Sequence, residues 1–113
     1  MEDLYSSKNL LQMMDGNFSE VRELALMLFD LGPQMIDEIE SAIENEQWNK
    51  AGDVSHKLKS TLKLWSMKSI VPFALYIEEN GAKSQNIEDI KENFKNLKIG
   101  FQKILDKMKS EFS

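Results

Sequence analysis

The feature that most constrains the fold is a regular apolar repeat near the C-terminus. Starting at Ile87, the apolar residues follow alternating three- and four-residue steps over six intervals. They are Ile87, Ile90, Phe94, Leu97, Phe101, Ile104 and Met108. This spacing places them on one face of an α-helix, with Glu and Lys on the other faces. Asn86 is a suitable N-cap, and Glu88 and Asp89 favour the positive end of the helix dipole. The pattern predicts a helix over about residues 87–111, packed in a bundle.

A second long helical repeat follows the sequence "DGN" in the first half of the chain. Its apolar positions are Phe18, Val21, Ala25, Leu28, then Met35 or Ile36, Ile39 and Ile43. The repeat ends near Asn45. Within it, Pro33 removes one helical hydrogen bond and Gly32 adds backbone freedom, so a kink or brief break is expected there. We favour one bent helix.

Two shorter segments between these repeats each carry a single apolar stripe. They cover about residues 47–65 and 67–81, and both are predicted to be helices. The connection near "WSMKS" is very short, which makes the two helices antiparallel neighbours. Pro72 is expected to bend the second helix near its first turns.

A short N-terminal helix is predicted over about residues 6–14, capped by Ser6 or Ser7 and ended by the Asp-Gly pair that follows. No segment alternates with period two for long enough to indicate a strand. We therefore predict an all-α fold, an antiparallel up-and-down four-helix bundle with a short extra N-terminal helix, forming one domain over residues 1–113. The predicted core comprises Leu24, Leu28, Met35, Ile39, Val54, Leu58, Leu62, Trp65, Ile70, Ala74, Ile77, Phe94, Leu97, Phe101 and Ile104.

Composition excludes several classes of function. Apolar residues make up 42% and charged residues 29% of the 113 residues, which suits one globular domain. The net charge of -5 argues against a nucleic-acid partner. The absence of cysteine excludes disulfides, thiolate zinc sites and thiol catalysis. No run of 18 apolar residues exists and the N-terminus is acidic and polar, so we expect a cytoplasmic monomer without membrane insertion.

The only histidine, His56, lies in the stretch "GDVSHKLKST". Because a helix turns about 100 degrees per residue, the apolar stripe of this helix falls opposite His56. The stripe consists of Val54, Leu58, Thr61, Leu62 and Trp65. The imidazole is therefore predicted to face solvent.

The neighbours of His56 on the outward face are small or positively charged. Gly52 lies one turn before it and Ser60 one turn after it, which would let another protein approach closely. Lys59 and Lys63 place two ammonium groups along the same stripe, where they can neutralise an anion carried by the imidazole. Gly52, Ser60 and Lys63 are thus candidate docking residues.

A phosphoryl group fits this chemistry. Neutral imidazole is a nucleophile toward phosphorus and forms a labile phosphoramidate. The added group brings roughly two negative charges, and Lys59 is the nearest positive charge.

A metal site is rejected, because a four-helix metal centre needs several inward ligands including a second histidine, and the only histidine faces outward. No Gly-rich phosphate loop is present, so neither ATP binding nor autokinase activity is expected.

The histidine segment resembles the histidine-containing phosphotransfer (HPt) domain family of multistep two-component phosphorelays. The family motif is His, any residue, an apolar residue, Lys, then usually Gly and a small residue. The corresponding stretch here is "HKLKST", residues 56–61. The chain from "DGNFSEVRELALMLFDLGPQMIDEIESAIENEQW" to the motif is similar to the first half of the family. The stretch "PFALYIEENG" resembles its next helix.

This resemblance implies a role for each site residue. His56 would take a phosphoryl group from the aspartyl phosphate of one receiver domain and pass it to an aspartate of another. Lys59 would balance the phosphate charge, and Glu78 would hydrogen-bond the imidazole and fix its tautomer. Ser60 stands where Gly is common, and Lys63 and Ser66 replace residues that are often small or Gly.

The implied partners are response-regulator receiver domains and a hybrid histidine kinase. The chain itself would need no cofactor, since Mg²⁺ is expected on the partner receiver. It would act as a phosphohistidine carrier and not as an enzyme. The alternative is a non-phosphorylated helical interaction module, a scaffold or inhibitor that binds receivers. Retention of both His56 and Lys59 favours the carrier. A phosphohistidine carrier of the sugar-transport type is rejected, because that fold needs strands.

Overall fold

A computed structural model describes residues 4–112 and contains five helices in this part of the chain. They are α1 (Lys8–Met13), α2 (Phe18–Glu44), α3 (Trp48–Leu64), α4 (Val71–Lys83) and α5 (Ile87–Phe112). Residues 4–112 contain no strand, so the predicted all-α class is confirmed. Each long helix packs on its neighbours, α3 on α2 and α4, and α5 on α4 and α2. None of the helices within 4–112 has the length and apolarity needed to cross a membrane.

The core contains nearly all of the predicted residues. Leu24 and Met35 are the exceptions, since both are only half-buried. The buried face of α2 instead includes Val21, Ala25 and Ile36. Leu24 and Met35 lie on the side of α2 that borders an apolar groove toward α3, so their side chains stay partly exposed.

The helix α2 continues without a break through Pro33. The prediction of a single helix from the second repeat is therefore confirmed, and the alternative of a brief break is wrong. Gly32 is buried, and a Cβ atom there would lie 2.7 Å from Cζ of Phe101. Its missing side chain thus allows α5 to approach α2 closely.

The start of α4 differs from the prediction. The helix begins at Val71, and residues 67–70 form turns in which the Met67 amide donates to the Leu62 carbonyl at 2.9 Å. Pro72 occupies the first turn of α4, where a missing N–H costs no intrahelical hydrogen bond. The predicted bend at Pro72 is wrong, because the proline lies in the first turn of the helix and not in its interior.

The bounds of α1 and α5 lie close to those predicted, but the side chain of Asn86 does not form the predicted N-cap of α5. α1 begins at Lys8, whose amide donates to Oγ of Ser6 at 3.2 Å. Asp15 after α1 has a positive φ of 52°. Asn86 directly precedes α5, but its side-chain amide donates to Oδ1 of Asn80 at 2.7 Å. The side chain of Asn86 therefore links α4 to the start of α5.

Ser55 on α3 is fully buried, and its hydroxyl has no hydrogen-bond partner within residues 4–112. A buried unpaired hydroxyl is destabilising, and alanine is the better helix former. We expect Ser55→Ala to raise the free energy of unfolding by up to about 1 kcal/mol, measured by urea denaturation. Ser60→Ala on the exposed face is the control and should change it by less than about 0.5 kcal/mol. A clear loss of stability in Ser55→Ala would contradict the prediction.

Candidate functional site

His56 lies on the outer face of α3, with 59% of its side chain exposed. Val54, Leu58 and Leu62, on the opposite face of the same helix, are buried in the core. The prediction that the imidazole faces solvent is confirmed. The ring is therefore accessible to another molecule.

One carboxylate, that of Glu78 on α4, contacts two side chains of α3. Its Oε2 lies 2.5 Å from Nδ1 of His56. Its Oε1 accepts a hydrogen bond from the ammonium group of Lys59. These contacts cross from one helix to the next, so the imidazole orientation depends on the packing of α3 against α4. The contact expected between Glu78 and the imidazole is present.

The environment of Glu78 keeps it ionised. Burial raises the pKa of the carboxyl, but the hydrogen bonds and positive charges of Lys59 and His56 together outweigh burial and lower it below its ordinary value. An ionised carboxylate can only accept hydrogen bonds. Nδ1 of His56 therefore carries a proton, and in the neutral ring the lone pair lies on Nε2.

Gly52 does not lie on an exposed surface. It is buried on α3, where a Cβ atom would lie 3.1 Å from the carbonyl oxygen of Glu78 and 3.3 Å from the amide nitrogen of Ala82. The prediction that Gly52 faces solvent is wrong, because α4 covers this side of α3. Gly52 contributes to the site indirectly, by letting α4 bring Glu78 to the imidazole.

Gly81 on α4 completes this close approach. A Cβ atom on Gly81 would lie 2.6 Å from the carbonyl oxygen of Trp48 and 3.1 Å from Cα of Gly52. The two helices thus meet backbone to backbone one turn before His56. The sequence contains both glycines, but their pairing is a tertiary contact that the pattern within either helix does not reveal.

Lys59 is turned toward α4 and is mostly covered. Only 13% of its side chain is exposed, because its ammonium group is held by Glu78. The exposed charges beside the imidazole are those of Asp53 and Lys57, which line the same shallow depression. The depression is lined by Gly52, Asp53, His56, Lys57, Glu78 and Ala82.

Ser60 and Lys63 are both exposed, as predicted. Oγ of Ser60 donates to the carbonyl oxygen of His56 at 3.3 Å. Both residues line a second depression that α1 helps to form, together with Asn9, Gln12, Met13 and Leu64. Met13 and Leu64 are apolar yet 67% and 43% exposed. Sequence reasoning missed the α1 residues, because nothing in the chain pattern places α1 beside α3.

The charged residues of the site do not form a metal-binding group. Within residues 4–112, no group of three or more His, Cys, Asp or Glu side chains is arranged to hold a metal ion. Asp53, which shares the depression with His56, has no second histidine to complete a metal site, since the chain contains only one.

The fold and the site define an all-helical protein with an exposed histidine whose Nδ1 is held by a carboxylate of the next helix. Comparison with family models, with curated proteins and with solved structures finds no match to this chain. The resemblance to the HPt family therefore rests on the histidine motif and the sequence around it.

Proposed function

We propose that this protein is a phosphorelay intermediate of the HPt kind. Its helices α2 to α5 would form the antiparallel up-and-down bundle, with α1 as the short extra helix. The observation that carries the proposal is the contact between Nδ1 of His56 and the ionised carboxylate of Glu78. This contact leaves Nε2 as the free nucleophilic nitrogen on an exposed ring.

The proposed reaction is a direct phosphoryl transfer. The Nε2 lone pair of His56 attacks the phosphorus of an aspartyl phosphate in a receiver domain. The N–P bond forms as the P–O bond to the receiver carboxylate breaks, and the electron pair leaves with that carboxylate. The proton on Nδ1 stays on the ring, whose new positive charge is balanced by Glu78. Transfer to the second receiver reverses these steps.

The chain would contribute a nucleophile and a docking surface, and no cofactor of its own. Mg²⁺ would be supplied by the receiver, whose acidic pocket complements the positive charge of Lys63. Ser60 and Lys63 border the depression shared with α1, so a docked receiver would contact α1 as well as α3. The first donor would be a receiver coupled to a hybrid histidine kinase. The carrier is proposed to act as a cytoplasmic monomer.

The proposal is tested by incubating the protein with phosphorylated receiver domains. Phosphohistidine is labile in acid and stable in base, which distinguishes it from an aspartyl phosphate or a phosphoserine. We expect acid-labile, base-stable label that maps to the peptide containing His56. If no receiver domain encoded in the source genome transfers label to the protein, the proposal is wrong.

Lys59 is proposed to balance the charge of the phosphoryl group. We expect Lys59→Ala to slow transfer by about tenfold, the effect of losing roughly 1.4 kcal/mol of charge stabilisation. The fold should stay intact, because an ion pair with partly exposed partners contributes about 1 kcal/mol or less. Transfer is followed by rapid mixing with a phosphorylated receiver.

The control for this variant is Lys57→Ala, which removes an exposed lysine from the same helix. It should slow transfer less than Lys59→Ala does, because solvent screens exposed charges. Equal rates for Lys59→Ala and the unaltered protein would remove the role assigned to Lys59.

A further inference from the structure

The carboxylate of Glu78 is fixed beside Nδ1 of His56 by contacts on both of its oxygens. Oε2 lies 2.5 Å from Nδ1, and Oε1 is held by Lys59. The Glu78 side chain is only 24% exposed, so solvent screens its charge less than that of a surface carboxylate. A negative charge therefore lies beside Nδ1, the ring nitrogen that is not phosphorylated.

The protonation of that nitrogen decides how easily an N–P bond breaks. When Nδ1 carries a proton, cleavage releases neutral imidazole, which is a good leaving group. When Nδ1 has lost its proton, cleavage must release the much more basic imidazolate. A neighbouring negative charge favours the protonated, positively charged ring.

We propose that Glu78 is a positioning residue that sets the lifetime of phosphorylated His56 by keeping Nδ1 protonated. In hydrolysis, water oxygen bonds to phosphorus as the N–P bond breaks, and the electron pair returns to Nε2. One proton of the water stays on the phosphate and the other goes to solvent, while Nδ1 keeps its own proton. Transfer to a receiver carboxylate uses the same leaving group. This inference rests on the proposed function and adds that the phosphoryl group is held in a short-lived form.

The other charges near the ring do not provide this effect. Asp53 and Lys57 on α3 line the same depression, but both are exposed and opposite in sign. The ammonium group of Lys59 contacts the carboxylate of Glu78 and not the ring. No residue of α1, α2 or α5 lines this depression in the described structure. Glu78 is therefore the charged residue whose removal should change the protonation of the His56 ring.

The test compares the stability of the phosphorylated form in the unaltered protein and in Glu78→Gln. Glutamine retains an oxygen that can accept from Nδ1 but removes the negative charge. The proteins are phosphorylated chemically with phosphoramidate, which needs no receiver, and the loss of label from His56 is followed across a range of pH. In the unaltered protein, rapid hydrolysis should extend to higher pH than in Glu78→Gln. Where the two profiles separate, the variant should keep its label about tenfold longer, because the carboxylate charge that favours the protonated ring is gone.

Two controls separate charge from structure. Glu79→Gln changes the exposed neighbouring carboxylate and should not shift the pH profile of label loss. The comparison is repeated in the Lys59→Ala background, because Glu78→Gln also frees the Lys59 ammonium group from its carboxylate partner and so changes how Lys59 balances the phosphate charge. The shift of the pH profile should persist in that background.

The outcomes distinguish this inference from the proposed function. Identical pH profiles for Glu78→Gln and the unaltered protein would overturn the inference, as would a shift that disappears in the Lys59→Ala background. Failure of phosphoramidate to label His56 would also overturn it, since an accessible Nε2 is its premise. Failure of receivers to transfer label, with a pH shift present in the chemically labelled protein, would instead count against the relay function alone.

Discussion

His56→Gln is expected to abolish phosphoryl acceptance completely, because no other nucleophilic ring nitrogen is present in a chain with a single histidine. The side chain of His56 is largely exposed, so its replacement should change the free energy of unfolding by less than about 1 kcal/mol. The measurement is acid-labile label after incubation with a phosphorylated receiver, alongside denaturation of the same sample. Loss of label with an unchanged fold assigns the chemistry to the imidazole.

Lys57→Gln is a matched control for His56→Gln, since it alters the adjacent exposed residue and leaves the ring in place. It should accept label, with at most a modest change in rate. Full labelling of His56→Gln would contradict the assignment. If the variant is unlabelled but still binds receivers and supports the cellular response, the protein acts as an interaction module and not as a carrier.

Much of the fold follows from helical periodicity within single segments. The repeat from Ile87 predicts α5 to within one residue at its C-terminal end, and the stripe opposite His56 predicts which face of α3 is buried. Periodicity fails where the fold depends on a neighbouring element. The prediction for α4 began too early, because the apolar residues Met67 and Ile70 are buried in the turn before it and contribute to the core without being helical.

The site was predicted only in part for the same reason. The helical wheel placed His56 correctly on the surface, since the stripe defines the buried side of its own helix. It placed Gly52 on the same open face, but the packing of α4 covers that side. The contribution of Met13 to the neighbouring depression depends on where α1 docks, and no spacing within α1 encodes that position. The contact between Glu78 and His56 was expected from the resemblance alone.

Gly81→Ala is expected to lower the free energy of unfolding by about 2–3 kcal/mol, a cost typical of overpacking. The new Cβ would lie 2.6 Å from the carbonyl oxygen of Trp48 and 3.1 Å from Cα of Gly52. Both contacts are with backbone, which cannot rotate away, so α4 must move from α3. The helix-propensity gain of about 1 kcal/mol for alanine over glycine offsets only part of this cost. The measurement is urea denaturation.

The same substitution should weaken the contact between Glu78 and His56, because Glu78 lies on the displaced helix. We expect the ring signals of His56 in NMR spectra to move toward those of Glu78→Gln. Gly100→Ala on α5 is the comparison: its new Cβ would lie 2.6 Å from Cγ2 of the buried Ile70, away from the contact between Glu78 and His56. It should also lower the free energy of unfolding, by about 1–3 kcal/mol, but leave the ring signals of His56 unchanged. Equal stability of Gly81→Ala and the unaltered protein, with unchanged His56 signals, would contradict the claim that the backbone contact between α3 and α4 positions the site.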